Sequence, residues 1–424
     1  MRVRIAWLIC VGLMGWGVSG WAEDWPGYRG RTGMGVTVER GLALDWGVEE
    51  VLWKAELPPG VHGGVADHNQ SSPVVSGGKV FVTTAHWVEG ADRSGGAPEH
   101  RVACYAAESG ECLWDVEVEP GGWVLNDLRG GYAVPTPAVA DGRLFVAFGS
   151  SVLHALDFEG ARLWSYAIGD FESFDVAFAS SPVVFEDTVI LLLDRKKPAS
   201  KLVALDVVTG EVRWEKMRPD CEFGHATPVL AEVGGSVQLL VSATDSLQGV
   251  DPRSGEVLWS CRWGRSIWPV ASPVVAGGLV YCIGGRGGHP GVVVDPTGSG
   301  DVTTSHLKWE VKPMSEGLSS PVVFEGRVYR LNSPGVLRCV DIATGEEYFR
   351  ERFPGADHRV SPFVTPEGRI YYASAGKTVV VEAGKALKIL GESDLGDASA
   401  AAAAVSDGRI FLKGARYLWA IGEK

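Results

Sequence analysis

The sequence predicts an all-β fold, an eight-bladed β-propeller of four-stranded antiparallel blades, on three observations: a unit of four short strands, its recurrence along almost the whole chain, and complementary fragments at the two ends. The unit is clearest between Ser181 and Met217, "SPVVFEDTVILLLDRKKPASKLVALDVVTGEVRWEKM". An apolar strand follows Ser181-Pro182, a second runs from Thr188 to Asp194, a third from Leu202 to Asp206 and a fourth from Glu211 to Met217, each ended by turn chemistry. Asp206 and Thr209-Gly210 close the last hairpin, because an Asp carboxylate accepts backbone N–H groups two residues on and Gly takes positive φ without a Cβ clash. A sheet with two apolar faces cannot bury both by itself, so it needs copies on either side.

The copies are found by searching for Ser/Thr-Pro followed by an apolar pair, which gives Pro73, Pro137, Pro182, Pro228, Pro273, Pro321 and Pro362 at intervals of 41 to 64 residues. An eighth, degenerate copy aligns on "AAAAVSDGRIFL", where Ala402 takes the proline's place. A period of roughly 40 to 50 residues with four strands per repeat is the mark of a propeller, one blade per repeat. Proline at the first residue of a strand removes no ladder bond, which accounts for its position.

In chain order, Met1 to Ala22 carries Arg2 and Arg4, an apolar run from Ile5 to Val18, then Gly20-Trp21-Ala22. This reads as a secretory signal peptide cleaved after Ala22, the run being short for a membrane span of about 20 apolar residues. Residues 23–424 are then expected to form one propeller domain in the periplasm or outside the cell, monomeric and with no transmembrane segment left. The segment "EDWPGYRGRTGMGV" precedes any repeat and its Gly and Pro content predicts an irregular loop. "EVLWKAELP" next matches a fourth strand, whereas the last repeat stops after its third. Val51 to Leu57 is therefore expected to supply the outer strand of the final blade and close the ring without an unpaired edge. Two long loops, "DRSGGAPEH" and "GGHPGVVVDPTGSGDVTTSH", are expected above the ring, where insertions often bind; "DVTTSH" equally suits a cap on a strand end.

Tryptophans recur with the repeats at Trp53, Trp114, Trp164, Trp214, Trp259 and Trp309. One ring at the same place in every copy is what stacked blades demand, so these are structural residues wedged between neighbouring sheets. Cys104 and Cys112 flank the first repeat's hairpin turn, a placement that allows a cross-strand disulfide in an exported protein. Cys221, Cys261, Cys282 and Cys339 have no spacing that pairs them. With no CxxC and no ligand spacing, no metal site is expected; His62 and His68 are separated across Gly63-Gly64 and share no face. The formal net charge of −13 argues against a nucleic-acid backbone as partner.

The repeats "VALDVVTGEVRW", "GVDPRSGEVLW" and "CVDIATGEEYF", with the opening "WPGYRG", resemble the pyrroloquinoline-quinone-like (PQQ-like) β-propeller repeat proteins, a superfamily with quinoprotein dehydrogenases, BamB-type outer-membrane-assembly lipoproteins and other exported proteins. The resemblance implies the fold over nearly the whole chain. The dehydrogenase branch holds its quinone over a Trp floor, under a disulfide between adjacent cysteines and beside Ca²⁺ bound by Glu, Asn and Asp. No two cysteines are adjacent here, and Asp175 and Asp245 near the mouth show no ligand spacing. No cofactor is predicted, and PQQ with calcium is disfavoured.

Topology places a candidate ligand-binding face at the mouth, where loops leading into the innermost strands meet loops between second and third strands. The former contribute His68, Asn69, Gln70, Arg129, Tyr132, Asp175, His225, Trp268, His358 and Arg359; the latter contribute Trp87, Asp245, Arg286 and His289. This composition suits an exported binding or assembly scaffold presenting loops to a protein, peptide or oligosaccharide. The alternative is an enzyme, either a lyase or hydrolase of sugars with His225 or His358 as base, or a quinoprotein oxidoreductase.

Overall fold

The alternation of apolar residues within each short strand decides the architecture. In Ser200–Asp206, Val203 and Leu205 pack against Phe145 and Leu153 of the preceding repeat, while Leu202 and Ala204 pack against Leu239 and Val241 of the following one. Side chains of a strand point alternately to its two faces, so every blade is glued to both neighbours by residues one apart in sequence. The computed structural model describes residues 23–423 apart from 48, 58–68, 88–95, 123–130, 170–178, 196–199, 223, 265–268, 285–289, 314–317, 354 and 356. Among the described residues there are eight antiparallel sheets and no helix, hence none long and apolar enough to cross a membrane. The expected signal peptide lies outside them.

Blade 3 shows the pattern: Val183–Phe185, Thr188–Leu193, Ser200–Asp206 and Val212–Arg218 pair in sequence order from the channel outward. The prolines stand one residue before each innermost strand rather than as its first residue, and so are excluded from the ladder altogether. The hairpin turn is held by Asp206, whose Oδ1 accepts the N–H groups of Val208 and Thr209 at 2.8 and 2.7 Å. Asp341 does the same for Ala343 and Thr344. The Thr209 N–H, with Arg213, holds the Asp206 carboxyl down at about 2.

That turn also carries the blade-to-blade contact. Gly210, with φ +73°, presents a bare backbone to Trp164 of blade 2; a Cβ there would lie 2.6 Å from the indole, and Trp164 Nε1 donates to Val207 O at 3.2 Å. Trp114 rests likewise on Gly160, Trp214 on Gly255 and Trp309 on Gly345. Trp53 rests on Gly110 of blade 1 and donates to Ala107 O at 3.1 Å. Its strand, Val51–Glu56, pairs antiparallel with Tyr417–Ile421 as the outer strand of blade 8. The interface between the two ends of the chain therefore uses the same indole-on-glycine contact as the others.

Trp259 departs from this pattern. It is fully buried and lies over Gly249 of its own blade, donating to Gln238 Oε1 at 2.8 Å. In blade 5 the short turn of the other blades is replaced by the longer connection Asp295–His306 between its third and fourth strands. Within that connection Gly300–Asp301 pairs parallel with Trp259 and Ser260, Val302 N donates to Ser260 O and Thr303 Oγ1 accepts Arg262 N. The segment thus covers the outer edge of blade 4 as a fifth strand instead of standing above the ring.

The cross-strand bridge that the placement of Cys104 and Cys112 allowed does not form, and all six described cysteines are free thiols. A register shift between Cys104 and Tyr105 places Cys104 opposite Trp114 and Cys112 opposite Tyr105. Cys104 is buried in the core between blades 1 and 2, and Cys112 is exposed.

Candidate functional site

The Ser/Thr that precedes each proline forms a belt around the channel. Ser72 N donates to Thr136 Oγ1, Thr136 N to Ser181 Oγ, and Ser181 N to Thr227 Oγ1, each at 3.0 Å. On the other side Ser272 N donates to Ser320 Oγ and Ser320 N to Ser361 Oγ, again at 3.0 Å, while Ala402 N reaches Ser72 Oγ at 3.2 Å. Each accepting hydroxyl satisfies a buried N–H of the adjacent blade, and the Ser272 hydroxyl instead donates to Thr227 O at 2.7 Å, which explains the Ser/Thr where ladder chemistry explained only the proline.

The channel is occupied by the segment expected to be a loop. Asp24 caps the inner turn of blade 1 through Ser76 and Gly77, and Trp25 exchanges two backbone hydrogen bonds with Val75. Pro26 O accepts Val139 N of blade 2, Gly33 lies against Val229 of blade 4, and Val36 bridges Val364 of blade 7. From within the channel the Tyr28 hydroxyl shares hydrogen bonds with Ser361 Oγ at 3.0 Å and Ser320 Oγ at 3.3 Å, while Arg29 Nη2 donates to Pro321 O at 2.6 Å and Met34 O at 2.9 Å. "WPGYRG" is thus a plug. Gly30, at φ +80°, leaves room for the Trp25 ring, and Gly35 for the Arg29 guanidinium.

At the mouth, His68, Arg129, Asp175, Trp268, Arg286 and His289 lie outside the described residues, as does His62. Asn69 is buried and its Oδ1 accepts Ala85 N at 2.7 Å, which makes it a strand-end cap. Gln70 and Trp87 are half-buried. Tyr132 is buried, its ring 5.5 Å from that of His100 and its carbonyl accepting Gly149 N. The backbone N–H groups of His225 and Ala226 both donate to Pro269 O, and burial pushes the His225 imidazole down to about 4. Asp245 accepts the Ser246 hydroxyl at 3.0 Å. Arg359 is exposed and chelates Asp357 at 3.0 and 2.6 Å, which, against the opposing effect of burial, leaves that carboxyl below its ordinary value. His225 precedes blade 4 and His358 precedes blade 7.

Two networks that sequence reasoning missed lie within or at the ends of strands. His100 Nδ1 is 2.8 Å from Pro98 O, which assigns the proton to Nδ1, and Nε2 is 2.7 Å from Ser150 Oγ of blade 2. Burial holds His100 near 4 and neutral. The Ser–His geometry is that of an activated hydroxyl, but both side chains are fully buried and Ser150 Oγ already takes Gly121 N at 3.0 Å, so the pair staples blade 1 to blade 2. Asp194 and Arg218 form a buried bidentate ion pair at 2.8 and 3.1 Å; the Asp194 charge holds the guanidinium ionised against burial, and Arg218 Nη1 donates to Gln248 Oε1 at 2.6 Å. Neither network is marked in the sequence, where His100 stands between Glu99 and Arg101 and Asp194 ends an apolar run ahead of Arg195.

Among the described residues no three His, Cys, Asp or Glu converge as a metal-ligand set, and the thiols are isolated. No two cysteines of the chain are adjacent in sequence, so the disulfide that the dehydrogenase branch places over its quinone has no counterpart here.

The family model described as outer membrane protein assembly factor BamB matches residues 42–219, 98–310 and 246–384. The assembly factor BamB of Yersinia pestis is 21% identical over 359 residues, covering 83% of this chain and 82% of that protein. Among solved structures, BamB from Moraxella catarrhalis superposes with a TM-score of 0.59 at 15% identity, covering 87% of this chain and 96% of that one. The quinohemoprotein alcohol dehydrogenase of Comamonas testosteroni gives 0.65 at 14% identity, covering 94% and 80%. At these identities the structural likenesses speak for the fold alone.

Proposed function

Because this chain belongs to the family of the outer membrane protein assembly factor BamB, we propose that it is an exported scaffold, working as a monomer and without quinone, that holds a protein partner on the mouth face of the propeller. The observation that carries this reading is the plug. A catalytic propeller needs a concave site into which reacting groups converge. Here Tyr28 and Arg29 enter the channel, the Tyr28 hydroxyl engaged with Ser320 and Ser361 and Arg29 Nη2 with the carbonyls of Pro321 and Met34. The described mouth histidines, His225 and His358, precede separate blades, whereas loops carried on a rigid ring suit recognition.

The test is co-elution of the processed chain with purified soluble domains of the envelope assembly machinery of its own cell. The scaffold reading expects a complex that survives the double change His225→Ala and His358→Ala. A chain that binds none of them, and that turns over an acidic oligosaccharide until those two histidines are replaced, would establish the lyase instead. A thermal shift with PQQ plus Ca²⁺ would return the oxidoreductase to the front.

A further inference from the structure

Arg29 is 2% exposed and no carboxylate pairs with it among the described residues. Its Nη2 serves the carbonyls of Met34, Pro321 and Pro362, whereas Nε and Nη1 are buried with no partner among the described residues. A second donor stands in the same state on blade 7: Tyr372 is 1% exposed and its hydroxyl has no partner among them either. The two residues lie close enough to act on each other's charge. They come from unrelated parts of the chain, one on the plug and one on a second strand, so their convergence is a product of the closed ring.

A buried cation with neither counter-charge nor full hydrogen bonding is strongly unfavourable unless something supplies both. Burial lowers the guanidinium only to about 10, so it stays charged at neutral pH. What is missing is an acceptor carrying negative charge. A water would take two of these hydrogen bonds but would then have two protons of its own to place. The occupant must also be small, since the site has almost no exposure and Gly35 packs so closely that a Cβ on it would lie 2.8 Å from Nη2 and 3.2 Å from Nε. We propose that the central channel holds a small monovalent anion of halide size on Arg29 and Tyr372, locking the plug into the ring.

Two measurements on the purified chain test this. In the first, the melting temperature is followed as chloride or bromide replaces gluconate at constant ionic strength, for the wild type, Arg29→Met and Tyr372→Phe. The site requires a rise that saturates in the wild type by mass action, weakens in Tyr372→Phe and vanishes in Arg29→Met. The same halide response in all three proteins would overturn it. In the second, which needs no variant to fold, wild-type crystals grown in bromide are examined by anomalous scattering. A bromide peak against the Arg29 guanidinium supports the site, and a map with none there means that water fills the gap and the inference is wrong.

Discussion

Replacing Gly110 with alanine probes the contact at which the two ends of the chain meet. Gly110 has φ +73°, and a Cβ there would stand 2.5 Å from the Trp53 ring. The left-handed backbone costs a non-glycine residue about 1 to 2 kcal/mol, and pushing the indole off its seat adds about 1 to 3 kcal/mol of overpacking. The expected loss is about 3 kcal/mol. With about 2 cal/mol/K of unfolding entropy per residue, that lowers the melting temperature by roughly 3 to 4 °C, readable by scanning fluorimetry. Gly142→Ala is the control, because Gly142 has φ +70° with nothing within 4 Å and so tests the backbone cost alone; it should shift melting by roughly half as much or less. In a Trp53→Ala background, Gly110→Ala should fall to the control's value, since the ring it strikes is gone. Equal shifts for Gly110→Ala and Gly142→Ala, or an undiminished effect without Trp53, would refute the docking argument.

Tyr28→Phe removes the hydroxyl that joins Ser320 and Ser361, and should cost about 1 kcal/mol in urea unfolding with the fold intact; no change would show that the plug is not held through the belt. His100 is held near 4 in the folded chain against about 6.5 when unfolded. Its contribution is therefore complete above about pH 6.5 and lost as pH falls toward 4, by up to about 3 kcal/mol. His100→Gln should flatten that acid limb, and an unchanged slope of stability against pH between 4 and 6.5 would count against the buried neutral imidazole. Thiol titration of the processed chain should find one reactive cysteine, Cys112, in the native state and all six in denaturant; four in denaturant would mean that a disulfide exists after all.

The sequence by itself determined what is local. Strand alternation, the Asp206 to Gly210 turn and the recurring Ser/Thr-Pro are read within a few residues of themselves, because φ preferences and side-chain periodicity act at that range. Repetition then turned local readings into blades, and the unmatched fragments at Val51 and Ala402 indicated a ring. Tertiary structure alone decided the rest. Tyr28 meets Ser320 and Ser361 across 292 and 333 residues, and no spacing in "WPGYRG" announces those partners. The belt was hidden because each hydroxyl serves the preceding blade instead of its own. His100 lies in a strand and Asp194 directly after one, and nothing beside either residue shows its role until its partner arrives from elsewhere. Cys104 and Cys112 flank one turn, but the register sets Cys104 opposite Trp114 and Cys112 opposite Tyr105, and in a strand neighbouring positions face opposite sides. What a residue does locally was written beside it; what it meets was settled only when the ring closed.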